Sequence, residues 1–327
     1  MNAPTKASPL PHSTPDARKT ARCVVILNKK SGTLSELWSD DFEQELLGAL
    51  KANGWAPELH LTDGSDIDSI VERAIESRCD AIIAGGGDGT TTSIASQLRN
   101  TEIPLGILPC GTLNLAARDL GTPLDPLEAV KSLHPHRYRN IDVLEVNGQT
   151  CLCLTILGVY PELLHQAEEF HGRKWWIKFC KLSGQLATAY FRSPRFRIKI
   201  EKNSGETKDV STRLLLIVPG EYEDEFGFIP RREGLSSGKC RLYVSKHQSR
   251  WSNLKMAFRF LTGHTKQDPD MLVESADSVE ISVKGKSSAK VSLDGELLEL
   301  KLPARFDLKR HELRVLVPQT DTLPPRP

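Results

Sequence analysis

Net charge is almost absent from this chain: 43 Lys and Arg stand against 42 Asp and Glu, leaving +1 over 327 residues. So weak a field excludes recruitment of nucleic acid or another polyanion by overall charge, and any attraction to an anionic surface must be local. Long apolar runs are lacking too. The longest near the middle, Leu214–Val218, falls far short of the about 20 residues that a helix needs to cross a bilayer. Met1–Ala21 carries four prolines among polar residues and has no apolar core of the signal-peptide kind, so it reads as a disordered leader on a cytoplasmic protein. Cysteine occurs seven times, an odd number with no Cys-x-x-Cys pair and mostly inside apolar strand-like runs. That argues against a disulfide or zinc framework and for buried free thiols. The nine histidines show no metal-ligand spacing, and no internal repeat is present.

What is there is the balance of an ordinary globular protein, 39% hydrophobic and 26% charged, long enough for two domains. Cys23–Leu27 is a continuous apolar run of strand length, as expected of a strand buried on both faces. Leu37 or Trp38, Phe42, Leu46 and Leu50 recur at helical spacing up to a stop at Gly54. Leu59 and Leu61 mark a second strand, and Ile67, Ile70, Val71, Ala74 and Ile75 a second helix face. Ala81–Ala84 is a third strand, followed by a glycine run, a helix carrying Ile94 and Leu98, and a fourth strand over Pro104–Pro109. This alternation predicts a parallel α/β sheet.

The pattern changes after about residue 135. Ile141–Val146, the pair Asn147-Gly148 and Thr150–Leu157 read as a hairpin with a tight turn. Strands follow at Phe196–Ile200, Leu214–Val218, Leu242–Val244, Val279–Val283, Val291–Leu293 and Leu313–Val317, interrupted by helices near 173–191 and 251–263. This half reads as largely antiparallel β.

The strongest chemical signal is Gly85-Gly86-Gly87-Asp88-Gly89-Thr90, between a strand and a helix. Glycines let the backbone approach a phosphate, and their N–H groups with the helix N-terminus form an anion cradle. One glycine would serve a plain turn. A bare carboxylate repels phosphates, so Asp88 makes sense as a partner of Mg²⁺ or of an incoming hydroxyl. Asn28-Lys29-Lys30-Ser31-Gly32 leaves the first strand, Thr62 ends the second, and Cys110-Gly111-Thr112-Leu113-Asn114 leaves the fourth. An open α/β sheet brings such loops to one edge, where its ligands bind.

Asn-x-x-Ser-Gly (Asn28, Ser31, Gly32), Gly-Gly-Asp-Gly-Thr (Gly86–Thr90) and Pro-Leu-Gly-Ile-Leu-Pro-x-Gly-Thr-x-Asn (Pro104–Asn114) resemble, in order and spacing, the diacylglycerol kinase and sphingosine kinase catalytic domain and its bacterial lipid-kinase relatives. Ala117–Pro123 and Ser292–Glu296 continue the resemblance. It implies an ATP- and Mg²⁺-using lipid kinase with a fold like that of NAD kinases and phosphofructokinases. The leader would be 1–21, the nucleotide-binding α/β domain 22–137, the β-rich lipid domain 138–318 and a tail 319–327. Nucleotide contacts would come from Asn28, Ser31, Gly32, Thr62, Gly85–Thr90, Gly111, Thr112 and Asn114. The catalytic set would be Asp88, Asp294 and Glu296, with Glu296 the general base and Asp88 meeting the metal that comes with ATP. Without the resemblance, Asp294-Gly295 reads as a plain hairpin turn.

The chain departs from that family at two points. Leu115 follows Asn114 where an acid is usual, although some bacterial relatives carry His. Ser237, in Leu235–Lys239, stands where an aspartate holds a structural Mg²⁺, so that second metal site is expected to be lost. Arg173–Leu186 alternates bases and aromatics, which reads either as a peripheral contact with the inner membrane face or as a core-packing helix. Glu221–Glu225 reads as a solvated acidic loop. NAD kinase shares Gly-Gly-Asp-Gly, but its Asn-Glu pair is missing. A degenerate kinase fold binding nucleotide or lipid without turnover is the other alternative, supported by Ser237 and Leu115.

Overall fold

A computed structural model describes residues 20–158, 195–222, 232–234, 236–246 and 270–318. The helices expected near 173–191 and 251–263, the proposed membrane segment and most of the acidic loop lie outside the described residues.

The first half alternates as its periodicity requires. In chain order it runs β1 (Ala21–Asn28), α1 (Gly32–Leu37), α2 (Asp40–Ala52), β2 (Trp55–Thr62), α3 (Ile67–Glu76), β3 (Ala81–Gly86), α4 (Asp88–Leu98), β4 (Leu105–Pro109), α5 (Leu115–Leu120) and α6 (Pro126–Ser132). Strands β2, β1, β3 and β4 lie side by side and parallel. The two faces of this sheet are covered separately. Val25, Leu27 and Ile83 pack with Leu34, Phe42, Leu46 and Leu50 of α1 and α2. Val24, Ile26, Ile82 and Ala84 pack with α3 and with Ile94, Ala95 and Leu98 of α4. Of Leu37 or Trp38, read as opening the first helical face, Trp38 packs against the core with Phe42 and Leu46, while Leu37 is 43% exposed. The Ser39 hydroxyl accepts from Phe42 N at 3.1 Å and starts a new helix, which breaks the phase.

The second half supplies β5 (Leu133–Val146), β6 (Gln149–Cys151), β7 (Thr155–Gly158), β8 (Phe196–Lys202), β9 (Thr207–Thr212), β10 (Leu214–Pro219), β11 (Glu221–Tyr222), β12 (Arg232–Gly234), β13 (Cys240–Ser245), β14 (Met271–Ala276), β15 (Ser278–Val283), β16 (Ser288–Leu293), β17 (Glu296–Lys301) and β18 (Ala304–Pro318). All of its pairs are antiparallel, and six strands form a second sheet in the order β14-β13-β10-β7-β16-β17. Its inner face (Leu215, Ile217, Val291) packs on Ile198, Ile281 and Phe306 of the first sheet.

The two halves share one sheet. Strand β18 runs parallel to β4 through Val315 and Leu105, and antiparallel to β5 and β15. The division read at residue 137 therefore falls inside β5, which continues unbroken through it. A short hydrophobic run such as Leu313–Val317 carries no mark of the sheet it will join. The hairpin turn at Asn147 (φ 47°) and Gly148 (φ 85°) forms as expected. Thr150–Leu157, read as one strand, splits into β6 and β7 at Leu152–Leu154, whose N–H groups leave the ladder for a side chain described below. Six cysteines lie among the described residues, and all are buried.

Candidate active site

The strand-end loops meet, as the α/β pattern predicts, and they are tied by specific bonds. Asn28 Nδ2 donates to Thr90 Oγ1 (2.9 Å), and Lys29 N to Thr62 O (2.9 Å). Thr33 N and Oγ1 donate to the carbonyls of Cys110 (3.2 Å) and Gly111 (3.0 Å). Gly111 and Gly87 touch backbone to backbone, and a Cβ on Gly111 would overlap Gly87 Cα. Gly87 is the N-cap of α4 with no side-chain cap, so the first N–H groups of the helix point out beside that contact, as an anion site requires.

Not every residue assigned to this edge is free to act there. Gly85 is the penultimate residue of β3, not a loop residue, and a Cβ on it would run into Leu27. Its missing side chain serves packing. The Thr62 hydroxyl, 3% exposed, donates to Asp66 and accepts from Gly64 N. Asn114, in the left-handed region at φ 52°, wraps Gly111: its Oδ1 accepts from Gly111 N and its Nδ2 donates to Gly111 O, both at 2.8 Å. Ser31 donates to Asn28 O at 2.7 Å as α1 begins. Thr62, Asn114 and Ser31 thus hold the shape of the loops. Gly32 and Thr112 remain exposed beside them.

Asp88 opens α4 and turns toward α5, where Ala116 N donates to its Oδ1 at 3.3 Å. Burial pushes this carboxyl up to about 7; the Ala116 N–H opposes the rise and the nearby Asp294 charge adds to it. A carboxyl so poised changes charge near neutrality and suits a site where cationic charge arrives. Arg118 is close enough for its guanidinium, destabilised by burial, to be favoured in turn by Asp88. Its Nε donates to Leu113 O at 2.9 Å.

The Asp294-Gly295 turn joins β16 to β17, with φ 49° and 94°, and its two acids do different things. Asp294 is 2% exposed. Its Oδ1 accepts from Cys153 N (2.8 Å), Leu154 N (2.9 Å) and Cys151 Sγ (3.3 Å), and its Oδ2 from Leu152 N (2.7 Å) and Thr92 Oγ1 (2.9 Å). A carboxylate so occupied has no lone pair left for a reacting group; its expected catalytic role becomes a structural one. Glu296 is exposed, opposite Leu293 across the turn. Its carboxylate lies against Gly89, where a Cβ would overlap Oε1.

The turn at Ser236–Lys239 does not fit a metal. Asp142, 1% exposed, accepts from Gly238 N (2.8 Å) and His311 N (3.0 Å). Ser237 Oγ donates to Lys239 O (3.1 Å), and Arg310 Nε donates to Gly238 O (3.2 Å). Each carboxylate oxygen already accepts one backbone N–H, and a guanidinium stands at the carbonyl. Among the described residues, no group of three or more His, Cys, Asp or Glu assembles to hold a metal.

Thr92, Arg99 and Asp142 escaped the sequence reading. Asp142 had a visible signal, an acid inside the apolar run Ile141–Val146. Thr92 had only its place three residues after Gly89.

A cradle of helix N–H groups, a buried aspartate and a carboxylate facing them from the second half suit a phosphotransferase with an alcohol acceptor, and known proteins similar to this chain are named as kinases. The profile of the "Diacylglycerol kinase catalytic domain" matches residues 22–146. It is 27% identical to a "Diacylglycerol kinase" of Bacillus subtilis over 310 residues, 91% of this chain and 97% of the relative. It is 41% identical over 124 residues to a "Probable lipid kinase YegS-like" of Pseudomonas fluorescens, a match spanning 37% of this chain and only 41% of that protein. A solved diacylglycerol kinase structure from Bacillus anthracis shares the fold with a TM-score of 0.66 at 19% identity, covering 93% of this chain and 99% of the other. No helix among the described residues is long and apolar enough to cross a membrane.

Proposed function

We propose that the chain transfers the γ-phosphoryl group of ATP to a hydroxyl of a diacylglycerol-like or sphingoid lipid, with Glu296 as general base. The observation that carries this reading is the Glu296 carboxylate lying against Gly89 in the first turn of α4. That turn is where phosphates meet unpaired N–H groups, and Glu296 is an exposed carboxylate there. The residues present fit a nucleotide: glycines at 86, 87 and 111 leave no Cβ between the loops, and α4 offers an uncapped N-terminus. Mg²⁺ arriving with ATP supplies charge neutralisation, and Asp88 is the carboxylate placed to meet it. Glu296 takes the hydroxyl proton as the new bond to phosphorus forms.

The resemblance of the whole chain to proteins named lipid and diacylglycerol kinases supports a lipid acceptor. The test is turnover of labelled ATP against diacylglycerol, sphingoid and other glycerolipid acceptors. Glu296→Gln should lower kcat about 10²–10⁴-fold and leave ATP affinity near wild type. ATP binding with no lipid phosphate formed by the wild type would favour the degenerate-kinase alternative instead.

A further inference from the structure

Helix α4 has two working stripes. One, Thr91, Ile94, Ala95 and Leu98, is buried in the core. The other, Gly89, Thr92 and Arg99, recurs at i, i+3 and i+10 and faces the second half of the chain. Gly89 meets Glu296 and Thr92 donates to Asp294. Arg99, the C-cap of the helix, makes the densest contact of the three. Its Nε donates to Glu312 Oε2 (2.8 Å), its NH2 pairs with Glu145 (2.7 Å) and Glu312 (2.6 Å), and its NH1 donates to Thr150 Oγ1 (3.1 Å). Asn100 N adds a bond to Glu312 O at 2.7 Å. Thus one guanidinium binds β5, β6 and β18 together.

The connection from there to the reacting groups is continuous. Thr150 is followed by Cys151–Leu154, the segment that encloses Asp294, and Asp294-Gly295 is the turn that presents Glu296. Arg99 is buried to 14% side-chain exposure, and Glu145 and Glu312 to 24% and 21%, so water screens these contacts less than a surface pair.

We propose that Arg99 is a positioning residue: by fixing the far end of α4 to β5, β6 and β18, it holds the first turn of the helix in register with Glu296, about 15 Å away along ten helical residues. This rests on Glu296 being the base. In consequence, Asp88, Gly89 and Glu296 belong to one body.

The test uses the full-length protein with Arg99→Met, which keeps an unbranched stem and removes the guanidinium. With the best lipid acceptor, kcat should fall about tenfold, within what a small misplacement costs, while KM for ATP stays within about twofold. Arg99→Lys should recover part of the rate. In a Glu296→Gln background, where the base is already gone, Arg99→Met should cost less than about twofold. Hydrogen exchange should quicken at residues 89–92 and 294–297 and stay unchanged in α2. An equal kcat loss in both backgrounds overturns the proposal, as does a lowered Tm with kcat and exchange at 89–92 unchanged. Should Arg99→Met not fold, Glu312→Gln, which spares the Arg99–Glu145 pair, carries the same measurements. A wild type that phosphorylates no lipid defeats the proposed function, and the exchange comparison still decides whether Arg99 holds the first turn of α4.

Discussion

Replacing Asp294 by Asn changes one atom and should unfold much of what the turn holds together. The carboxylate accepts three consecutive backbone N–H groups, a hydroxyl and a thiol. An amide keeps one oxygen. If that oxygen serves Cys153 and Leu154, the new NH2 faces Leu152 N–H, which then stays buried and unsatisfied while Thr92 rotates to accept. An unsatisfied buried donor costs roughly 1–3 kcal/mol, and the remaining bonds lose the charge that made each worth roughly 1.5–3 kcal/mol. Allowing for non-additivity, the expected loss is about 4 kcal/mol, or roughly 8–16 °C in Tm for a domain of this size. Thr92→Val, which removes a single bond, should cost about 1 kcal/mol. The assay is thermal unfolding and urea denaturation followed by circular dichroism, with kcat measured per folded molecule. A Tm within 2–3 °C of wild type, about what the single-bond variant alone should cost, combined with a collapsed kcat would refute the structural assignment and return Asp294 to the catalytic set.

Gly89→Ala should keep or slightly raise stability, since alanine favours helix by up to about 1 kcal/mol, yet lower kcat because the Cβ displaces the Glu296 carboxylate; unfolding and turnover on the same sample check both halves. Ser237→Asp should not create a Mg²⁺ dependence, because the Arg310 guanidinium already stands at Gly238 O; a Tm raised by Mg²⁺ in that variant would show otherwise. Between the ordinary aspartate pKa near 4 and the folded value of about 7, the native state holds a proton on Asp88 that the unfolded state lacks. Stability from this group is thus present at low pH and is lost as pH rises through about 7. Asp88→Asn should flatten that part of the stability profile in the nucleotide-free protein.

Much of the first half was legible before any coordinates, because helical and strand periodicities are local and the strand-end loops of a parallel sheet have one place to go. Gly86-Gly87-Asp88-Gly89, Asn28 and Gly111 converge for that reason. The glycine run misled in part: Gly85 reads like its neighbours, and only the packing of Leu27 against β3 shows that it belongs to the strand. In the second half many strands were readable from their apolar patterns, but β9, β14 and β17 went unread, and beyond the Asn147-Gly148 hairpin none of the pairings was visible. Val315 joining Leu105 across more than two hundred residues leaves no trace in either segment. The same limit separated the two acids of the turn. Asp294 and Glu296 are equivalent as sequence, two carboxylates flanking a glycine. Folding brings four backbone and side-chain donors from residues 151–154 and one from Thr92 onto the first, and a bare glycine under the second. A carboxylate becomes structural or reactive according to the donors that reach it, and those are assembled from distant parts of the chain only when the sheets close.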